Sequence, residues 1–352
     1  MLLVLGIAAL IWWGGRWMGV SRQARLALLV TLFAVVLLVQ LILPDGHPVR
    51  AATGGSPALW LLLAGFAVIV ALYRRGLAVL RKRAQARETP QTTQKPPGAF
   101  TETELDRYAR HIVLREIGGP GQKRMKQARV LVIGAGGLGA PALQYLAAAG
   151  IGTIGVIDDD VVENANLQRQ VIHRDADIGM PKVFSAQQAM LAQNPAVMVR
   201  PYHRRLTPDI AAELFTEYDL ILDGTDNFYT RYLSNATAVA AGKPLVSGAL
   251  SQWEGQLSVF DPSHTGPCYQ CIFPEAPAPG LAPSCAEAGV IGPLPGVVGA
   301  MMAVEAIKVV TDAGMPLRGQ MLIYDALYGE TRTIRLSPRA GCPVCGGRGR
   351  AG

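Results

Sequence analysis

Residues 129–139, RVLVIGAGGLG, decide the fold of this chain. Arg129–Ile133 is a short apolar run that predicts a buried strand, and it leads directly into a glycine-rich turn. Ala140–Ala149 is a good helix former, and a second apolar run, Thr153–Ile157, ends in Asp158. Together they form a βαβ unit, in which backbone N–H groups and a helix N-terminus can meet phosphate. We therefore predict an α/β domain with a doubly wound, Rossmann-like, mostly parallel sheet.

By itself, this βαβ pattern does not choose between classes of nucleotide-binding protein. An acidic residue that ends the second strand, here Asp158, commonly binds a ribose hydroxyl. Dinucleotide-dependent dehydrogenases share both features, so a dehydrogenase that binds NAD through residues 134–139 is one hypothesis. Such an enzyme would also need a second catalytic domain, which the chain does not offer. The polar motifs farther along the chain are the stronger guide.

Those motifs follow one another in a definite order. Asn166 and Arg169 come soon after Asp158, and Lys182 follows. Asp226 and Asn227 belong to the sequence DGTDN at 223–227, into which a predicted strand at 219–222 runs. With the opening sequence RYARHI at 107–112, this order resembles the ubiquitin-activating-enzyme-like superfamily. Within it, the chain is most similar to the MoeB/ThiF/HesA adenylyltransferase family, above all to molybdopterin-synthase adenylyltransferases. The resemblance extends over roughly residues 105–345.

The resemblance implies an enzyme that adenylates the C-terminal glycine carboxylate of a ubiquitin-like sulfur-carrier protein with ATP and releases pyrophosphate. The expected pathway is molybdopterin biosynthesis, with the thiamine-pathway carrier as the alternative. The resemblance also implies a homodimer in which Arg110 reaches the nucleotide of the other subunit, and it places Asp158 on the ribose. The ATP-binding positions that it assigns are Gly134, Gly136, Gly137, Asn166, Arg169, Lys182, Asp226 and Asn227.

The chemistry of the residues supports this reaction. A C-terminal carboxylate has a pKa of about 3.5 and is already ionised at neutral pH, so no general base is required. The difficulty is to bring this anion to the α-phosphate of a highly charged nucleotide, which needs cations, a metal ion and in-line positioning. Arg110, Arg169 and Lys182 would supply positive charge, and Asp226 would supply a hard oxygen ligand for magnesium.

Each of these residues also has a simpler structural explanation. Asp158 could merely cap the turn that follows its strand, and Asp226 could be an ordinary residue of a turn-rich sequence. Arg169 and Lys182 could be solvated surface charges, while Arg110 could share a surface salt bridge with the nearby Arg107. The order of the motifs favours the functional interpretation.

Four of the five cysteines form two C-x-x-C pairs, Cys268 with Cys271 and Cys342 with Cys345. Two such pairs can complete a tetrahedral thiolate site for zinc, which would clamp a C-terminal extension to the middle of the domain. The competing hypotheses are a redox dithiol and a pair of disulfides. A cytoplasmic location argues against stable disulfides, and a thioredoxin-like motif would be single. We predict structural zinc.

The fifth cysteine, Cys285, follows a segment at 274–283 that is rich in proline and alanine and predicts an exposed loop. Its position matches the cysteine that some members of the family link covalently to the activated carrier, so we include it among the catalytic candidates. A small buried hydrophobe is the alternative. No basic residue stands nearby in the sequence to lower its pKa.

The N-terminal residues 1–87 have the composition of a membrane anchor. Leu26–Leu43 and Pro57–Tyr73 both approach the ~20 apolar residues that cross a bilayer. Met1–Trp13 is shorter and ends in two tryptophans, so it could span the membrane or lie at its interface. We predict two to three transmembrane helices, then a flexible, proline-rich linker at 88–99 and the adenylyltransferase domain at 100–352.

The charge distribution gives the orientation. Residues 1–100 carry 11 Lys and Arg against 2 acids, which leaves 22 basic and 24 acidic residues for the rest of the chain. The basic residues cluster at 16–25 and after Arg74, so the positive-inside rule predicts the inner membrane with the main domain in the cytoplasm. Because the main domain is not basic, nucleic-acid binding is not expected and a tRNA-modifying cyclase of the same superfamily is disfavoured.

Three further expectations complete the sequence analysis. Pro295–Val310 predicts a core or dimer-face helix, and Tyr324-Asp325 predicts an edge strand that could receive the tail of a carrier. No rhodanese-like domain follows Cys345, so we expect sulfur to come from a separate donor protein. A membrane scaffold without activity is the remaining alternative, and the complete set of nucleotide-site residues argues against it.

Overall fold

The computed structural model describes residues 2–87, 100–261, 263–264, 266–278 and 288–346. The chain divides into two compact units, Met1–Gln94 and Lys95–Gly352. Each unit is described by itself below.

The first unit is helical where it is described. Its elements are α1 (Leu2–Ala9), a π-helical segment (Leu10–Gly14), α2 (Gly15–Trp17), α3 (Arg22–Ile42), α4 (Pro48–Thr53) and α5 (Pro57–Arg87). By length and composition, α3 and the Trp60–Leu77 part of α5 could each cross a membrane. They contain most of the two long apolar stretches identified in the sequence. The shorter stretch at residues 1–13 changes from α- to π-helix at Leu10, and its crossing of a membrane stays a prediction.

The second unit is built on one sheet with eight described strands. The strands are β1 (Arg129–Ile133), β2 (Thr153–Ile157), β3 (Met198–Tyr202), β4 (Leu220–Asp223), β5 (Leu245–Leu250), β6 (Glu254–Phe260), β7 (Gln320–Asp325) and β8 (Glu330–Arg335). The helices are α6 (Glu102–Arg107), α7 (Ala109–Ile112), α8 (Gly118–Gln127), α9 (Gly139–Ala149), α10 (Lys182–Gln193), α11 (Pro208–Thr216), α12 (Phe228–Ala241), α13 (Tyr269–Ile272) and α14 (Pro293–Thr311), with 3-10 turns at Asn164–Asn166 and Asp175–Asp177.

The strand order is β3-β2-β1-β4-β5-β6-β7-β8. The first five strands in this order pair in parallel, whereas β6, β7 and β8 join through antiparallel pairs. The predicted α/β class and the bounds of β1 and β2 are confirmed. The predicted mostly parallel sheet describes only β1–β5, and the whole sheet is mixed.

Helices cover both faces of the parallel strands. Val130 and Val132 of β1 belong to a hydrophobic core that they share with α9, α10 and α14. Leu131 and Ile133 belong to a second core, on the other face, with α11 and α12. Because successive residues of a strand point to opposite faces, β1 can be apolar throughout only when both faces are covered. This arrangement accounts for the continuous apolar run that identified the strand.

The chain order reverses at β1, which lies between β2 and β4 in the sheet. The chain first fills one side of β1 with β2 and β3, and then the other side with β4 and β5. Open α/β sheets bind ligands in the crevice at such a point, outside the carboxyl ends of the strands. The turns after β1 and β4 meet there, because a Cβ added to Gly134 would lie 3.4 Å from the Gly224 carbonyl oxygen.

Two sequence expectations concern the C-terminal elements. The predicted helix at 295–310 is part of α14, which buries Val298, Met302 and Ala306 in the hydrophobic core. The expectation of a sheet edge at Tyr324-Asp325 was wrong, because β7 lies between β6 and β8. The chain turns after Asp325 and returns as β8, whose backbone occupies the edge that β7 would otherwise expose.

Candidate active site and cysteine cluster

The glycine-rich turn connects β1 to α9 at the crevice. Gly134 has a φ of +90°, which residues with a Cβ rarely adopt. Gly139, the first residue of α9, lies so close to the start of the turn that a Cβ there would be 1.8 Å from the Gly134 carbonyl oxygen. Glycine at both positions lets the turn fold tightly and brings the positive end of the α9 dipole to the crevice, where phosphate binding is favourable.

Asp158 lies directly after β2, beside the glycine-rich turn. Its Oδ2 accepts a hydrogen bond of 2.7 Å from the N–H of Ala135, and its Oδ1 accepts one of 2.8 Å from the N–H of Asp160. Burial raises the pKa of the Asp158 carboxyl, although these amides and Lys182 oppose the shift. Each carboxylate oxygen keeps a lone pair that could accept from a ribose hydroxyl, so ribose binding stays a prediction that the geometry permits.

Asn166, Arg169 and Lys182 converge on the same crevice. The buried Asn166 accepts a hydrogen bond of 3.2 Å from the N–H of Glu163, and Arg169 donates one of 3.0 Å to the Ala165 carbonyl. Lys182 begins α10 and is only 5% exposed. Its Nζ lies 2.8 Å from Oδ2 of Asp160, whose side chain is 64% exposed. The lysine is therefore held at the crevice by an ion pair on its solvent side.

Asp226 and Asn227 lie in the turn after β4. Asn227 is the N-cap of α12, and its Oδ1 accepts a hydrogen bond of 2.9 Å from the N–H of Thr230. This cap explains the asparagine by local structure alone, and it leaves the side-chain N–H₂ group free to donate elsewhere. Asp226 is exposed at the crevice, where its carboxylate could bind a magnesium ion held by phosphates.

Arg231 is a site residue that the sequence analysis missed. It lies on α12, is buried, and donates hydrogen bonds to the carbonyl of Thr225 and, at 2.8 Å, to that of Gly248. Thr225 precedes Asp226, so the guanidinium supports the turn that carries this carboxylate. The only sequence signal was the position of Arg231, one helical turn after Asn227. Spacing alone does not show that an arginine points inward.

His173 is a second missed residue. It is buried, with Nε2 2.9 Å from the Ala135 carbonyl oxygen and Nδ1 2.8 Å from Oγ of Ser185. Burial lowers the pKa of His173, which favours the neutral imidazole near pH 7. A single histidine in an ordinary loop sequence carries no motif, so nothing in the sequence distinguished it.

A cleft of about 1680 Å³ unites the predicted nucleotide residues. The sequence-predicted residues that line it are Gly134, Gly136, Gly137, Asp158, Asn166, Arg169, Lys182, Asp226 and Asn227. The cleft continues past β5 and β6 to Phe273, Met321 and Asp325. Arg110 lies exposed on α7 and is not among the residues that line this cleft. Cys285, the other catalytic candidate, lies outside the described residues.

The four paired cysteines form one buried cluster. Their sulfur atoms all lie within 4.8 Å of one another. The separations are 3.9 Å for Cys268–Cys271, 3.7 Å for Cys268–Cys342 and 3.4 Å for Cys271–Cys345. A tetrahedral Zn²⁺ with Zn–S bonds of about 2.3 Å requires S···S edges of about 3.8 Å. The donor set and its spacing therefore fit zinc.

The thiols of the cluster lie in different electrostatic environments. Burial raises the pKa values of the Cys268 and Cys271 thiols. At Cys342 the effect of burial is outweighed by the amides of Cys345 and Val344, and the pKa falls to about 7. A buried group of four thiols ionises fully only when a cation compensates the charge, which zinc would do.

Asn235 of α12 contacts this cluster. Its Oδ1 accepts a hydrogen bond of 2.9 Å from the N–H of Tyr269, and its Nδ2 lies 3.7 Å from Sγ of Cys268. Because a backbone N–H can only donate, the amide oxygen must face Tyr269 and the N–H₂ group must face the sulfur. Asn235 therefore supports the first C-x-x-C pair from the helix that begins at the nucleotide cleft.

Comparison with known proteins identifies the family of the chain. Residues 108–344 match the ThiF family. The sulfur carrier protein adenylyltransferase of Thermus thermophilus is 53% identical over 253 residues, which make up 70% of this chain and 93% of that protein. The probable adenylyltransferase/sulfurtransferase MoeZ of Mycobacterium tuberculosis is 54% identical over 245 residues, or 69% of this chain and 62% of that protein. The chain thus spans about three fifths of the length of MoeZ.

The fold is also found in a solved structure. Crystalline E. coli MccB with MccA-N7isoASN superposes with a TM-score of 0.60 at 24% identity, over 68% of this chain and 75% of that one. At this identity the likeness concerns the fold alone. The family match extends over well more than half of the residues, and the sequence motifs agree with it. The chain therefore belongs to the ThiF family.

Proposed function

We propose that this chain uses ATP to adenylate the C-terminal carboxylate of a ubiquitin-like sulfur-carrier protein. The chain is an adenylyltransferase, and the proposal concerns the substrate and the residues that act on it. The observation that carries the proposal is the cleft. One end holds the glycine-rich turn, the cations Arg169 and Lys182 and the exposed carboxylate of Asp226, and the other end runs along β5–β7. Its volume of about 1680 Å³ exceeds that of a usual small-molecule pocket, which leaves room for a peptide tail beside the nucleotide.

The proposed reaction is an in-line displacement at phosphorus. A carboxylate oxygen of the carrier forms a bond to the α-phosphorus of ATP, the bond from that phosphorus to the bridging oxygen of the β-phosphate breaks, and pyrophosphate leaves. No proton is transferred, because the carboxylate is already ionised at neutral pH. The protein contributes positioning and electrostatic stabilisation.

The residues at the cleft fit these tasks. Lys182 and Arg169 would stabilise the charge that builds up on the phosphates, and the start of α9 would add backbone donors. Asp226 would hold a magnesium ion, which compensates phosphate charge when bound. Before the nucleotide binds, the ion pair with Asp160 would keep Lys182 at the cleft. Asp158 would orient the ribose, and Asn166 and Asn227 would donate to the nucleotide.

The carrier tail would lie at the far end of the cleft. Extended backbone there can use the side chains of Gln256 and Asp325 and the apolar surfaces of Phe273 and Met321. A tail ending in Gly-Gly is narrow enough to pass between them and reach the α-phosphate. We propose molybdopterin biosynthesis as the pathway, with the thiamine-pathway carrier as the alternative, and a separate protein as the sulfur donor.

The homodimer also stays a proposal. Arg110 lies outside the cleft of its own chain, as it would if it served the nucleotide of a second subunit. Val113 and Leu114 follow α7, and their side chains are 75% and 46% exposed. A second copy packed on this surface would cover these apolar side chains and bring Arg110 close to another molecule's site.

The reaction is tested by ATP–pyrophosphate exchange with the full chain and candidate carriers ending in Gly-Gly, added one at a time. We expect exchange with one carrier, and a loss of about 10²-fold or more in an Asp226→Ala variant. Asp209→Ala, which removes an exposed carboxylate of α11 outside the cleft, should leave exchange unchanged. ATP binding without exchange for any carrier would contradict the proposed substrate.

We further propose that the first unit anchors the chain in the inner membrane, with the second unit in the cytoplasm. Only 11% of the apolar stretch of α3 and 6% of that of α5 is buried, against 50% for α14, which is apolar because it packs in a core. Apolar helices with so little protein cover are suited to lipid. Removing residues 1–99 should move the protein from the membrane fraction to the soluble fraction. Continued sedimentation with membranes would contradict the anchor.

A further inference from the structure

One buried histidine, His173, contacts the nucleotide site without facing the cleft. Its side chain is 6% exposed, and both ring nitrogens have a partner. The Ala135 carbonyl can only accept a hydrogen bond, so the proton of the neutral ring must be on Nε2. Nδ1 then faces the hydroxyl of Ser185.

The partner of Nε2 lies inside the glycine-rich turn. The N–H of Ala135 donates to Asp158 and its carbonyl accepts from His173. Ala135 is fully buried, so neither group can be satisfied by bulk water. The orientation of this part of the turn therefore depends on the two side chains that hold Ala135.

The other contacts of His173 lead to the remaining parts of the site. Ser185 lies on α10, one helical turn after Lys182. Its hydroxyl donates at 2.7 Å to Oδ2 of Asp177 and lies 2.8 Å from Nδ1 of His173, so its single proton is shared between these two acceptors. The backbone N–H of His173 donates at 3.1 Å to the carbonyl of Gln170, whose own N–H donates at 2.9 Å to that of Asn166. One residue thus connects the turn, the Asn166–Arg169 segment and the helix of Lys182.

We propose that His173 is a positioning residue for ATP. It holds the glycine-rich turn in a fixed position relative to Lys182 and Arg169. The phosphates then meet backbone donors and cations in a single arrangement. The inference rests on the proposed function in so far as the nucleotide is ATP. It does not depend on which carrier is adenylated.

The experiment compares His173→Leu with His173→Gln in the full chain. Leucine fills the space but donates no hydrogen bond, whereas the carboxamide of glutamine can place an N–H near the position of Nε2. We expect leucine to raise the Kd and KM for ATP about tenfold, as for the loss of one buried hydrogen bond, with little change in kcat or in the KM for the carrier. Glutamine should restore the ATP affinity to within about threefold.

A matched control separates positioning from general destabilisation. Asn194 lies at the other end of α10, is fully buried, and donates to Tyr108 Oη and to the Ala147 carbonyl. Asn194→Leu therefore removes buried hydrogen bonds without touching the cleft, and it should lower stability but leave the KM for ATP unchanged. If His173 had only a structural role, His173→Leu and Asn194→Leu would alike lower the fraction of active protein, and hence kcat.

Several outcomes would overturn the inference. These are an unchanged ATP Kd in His173→Leu, no rescue by glutamine, or an equal rise in the KM for ATP in Asn194→Leu. If the leucine variant does not fold, His173→Asn decides in its place, because asparagine is too short to reach Ala135 and should bind ATP as weakly as leucine was expected to. Absence of ATP binding by the unmodified chain would contradict the proposed function and this inference together. ATP binding without exchange would contradict only the choice of carrier.

Discussion

The parallel half of the sheet (β1–β5) and the antiparallel half (β6–β8) differ in how far their strands are buried. Every residue of β4, and every residue but the first of β1 and of β2, is buried. In β8, by contrast, every residue is exposed. Helices cover both faces of the parallel strands, while the last strands lose this cover.

The difference shows how one domain serves two purposes. A strand that is buried on both faces is rigid enough to fix the residues at its carboxyl end, as β2 and β4 do for the cleft residues Asp158 and Asp226. Strands with exposed faces can present a surface to another protein, but apolar burial stabilises them less. The cysteine cluster compensates for this, because it ties the segment after β8, with Cys342 and Cys345, to α13 and its N-cap, with Cys271 and Cys268.

The largest expected effect is a loss of stability in the antiparallel half when the cysteine cluster is disrupted. Cys271→Ser, or removal of metal with a chelator, should lower the free energy of unfolding by more than about 4 kcal/mol, because the thiolate site is lost from a region with little core. Amide hydrogen exchange should show lost protection in β8 and α13 before β1, β2 and β4. An equal loss across all strands would show that the two halves are not separately stabilised.

The second effect concerns activity in the parallel half. Lys182→Met should lower ATP–pyrophosphate exchange about 10²–10³-fold, since a cation that stabilises developing charge is lost. The thermal midpoint should change little, because the Asp160 partner is mostly exposed and can be solvated. Lys123→Met, at an exposed lysine of α8, is the matched control and should retain full exchange. A large fall in the midpoint would mean that Lys182 is structural.

The third effect tests the contact between α12 and the cysteine cluster, which connects the two halves of the domain. Asn227 caps α12 beside the cleft, and the same helix carries Asn235, which contacts Cys268. Asn235→Leu should weaken zinc binding about 10–100-fold, as measured by competition with a chelator, because a hydrogen bond to a ligand sulfur is lost. Ser234→Ala is the control, since the hydroxyl of this neighbouring buried serine has no hydrogen-bond partner. Equal zinc affinity in the two variants would contradict a role for Asn235.

The smallest effect is a pH dependence located in the parallel half. The pKa of His173 is lowered on folding, chiefly by burial, so the unfolded chain binds the proton more readily. Stability should therefore be complete above the ordinary histidine pKa of about 6.5 and fall as the pH drops below it, by at most about 1.4 kcal/mol per pH unit. Denaturant unfolding of the unmodified chain and of His173→Gln would measure the difference. An equal slope in both would exclude His173 as its source.

Much of the candidate site could be predicted because parallel strands bring their carboxyl ends together. Asp158 and Asp226 follow apolar runs that became β2 and β4, so their presence at one cleft follows from the fold class alone. Lys182 and Asn166 came from the resemblance of motif order, and the structure places both at the same cleft. Arg231 and His173 could not be found in this way, because their roles depend on carbonyl groups far away in the sequence.

The sequence by itself determined the βαβ unit, the glycine-rich turn, the paired cysteines and the apolar N-terminal helices. Each of these depends on periodicity or turn chemistry within a few neighbouring residues. Only the tertiary structure decided that β7 lies inside the sheet, that four sulfur atoms meet within 4.8 Å, and that Arg110 lies away from the cleft of its own chain. Strand order and inward-pointing polar side chains arise from packing between distant segments, and no local pattern of residues records that packing.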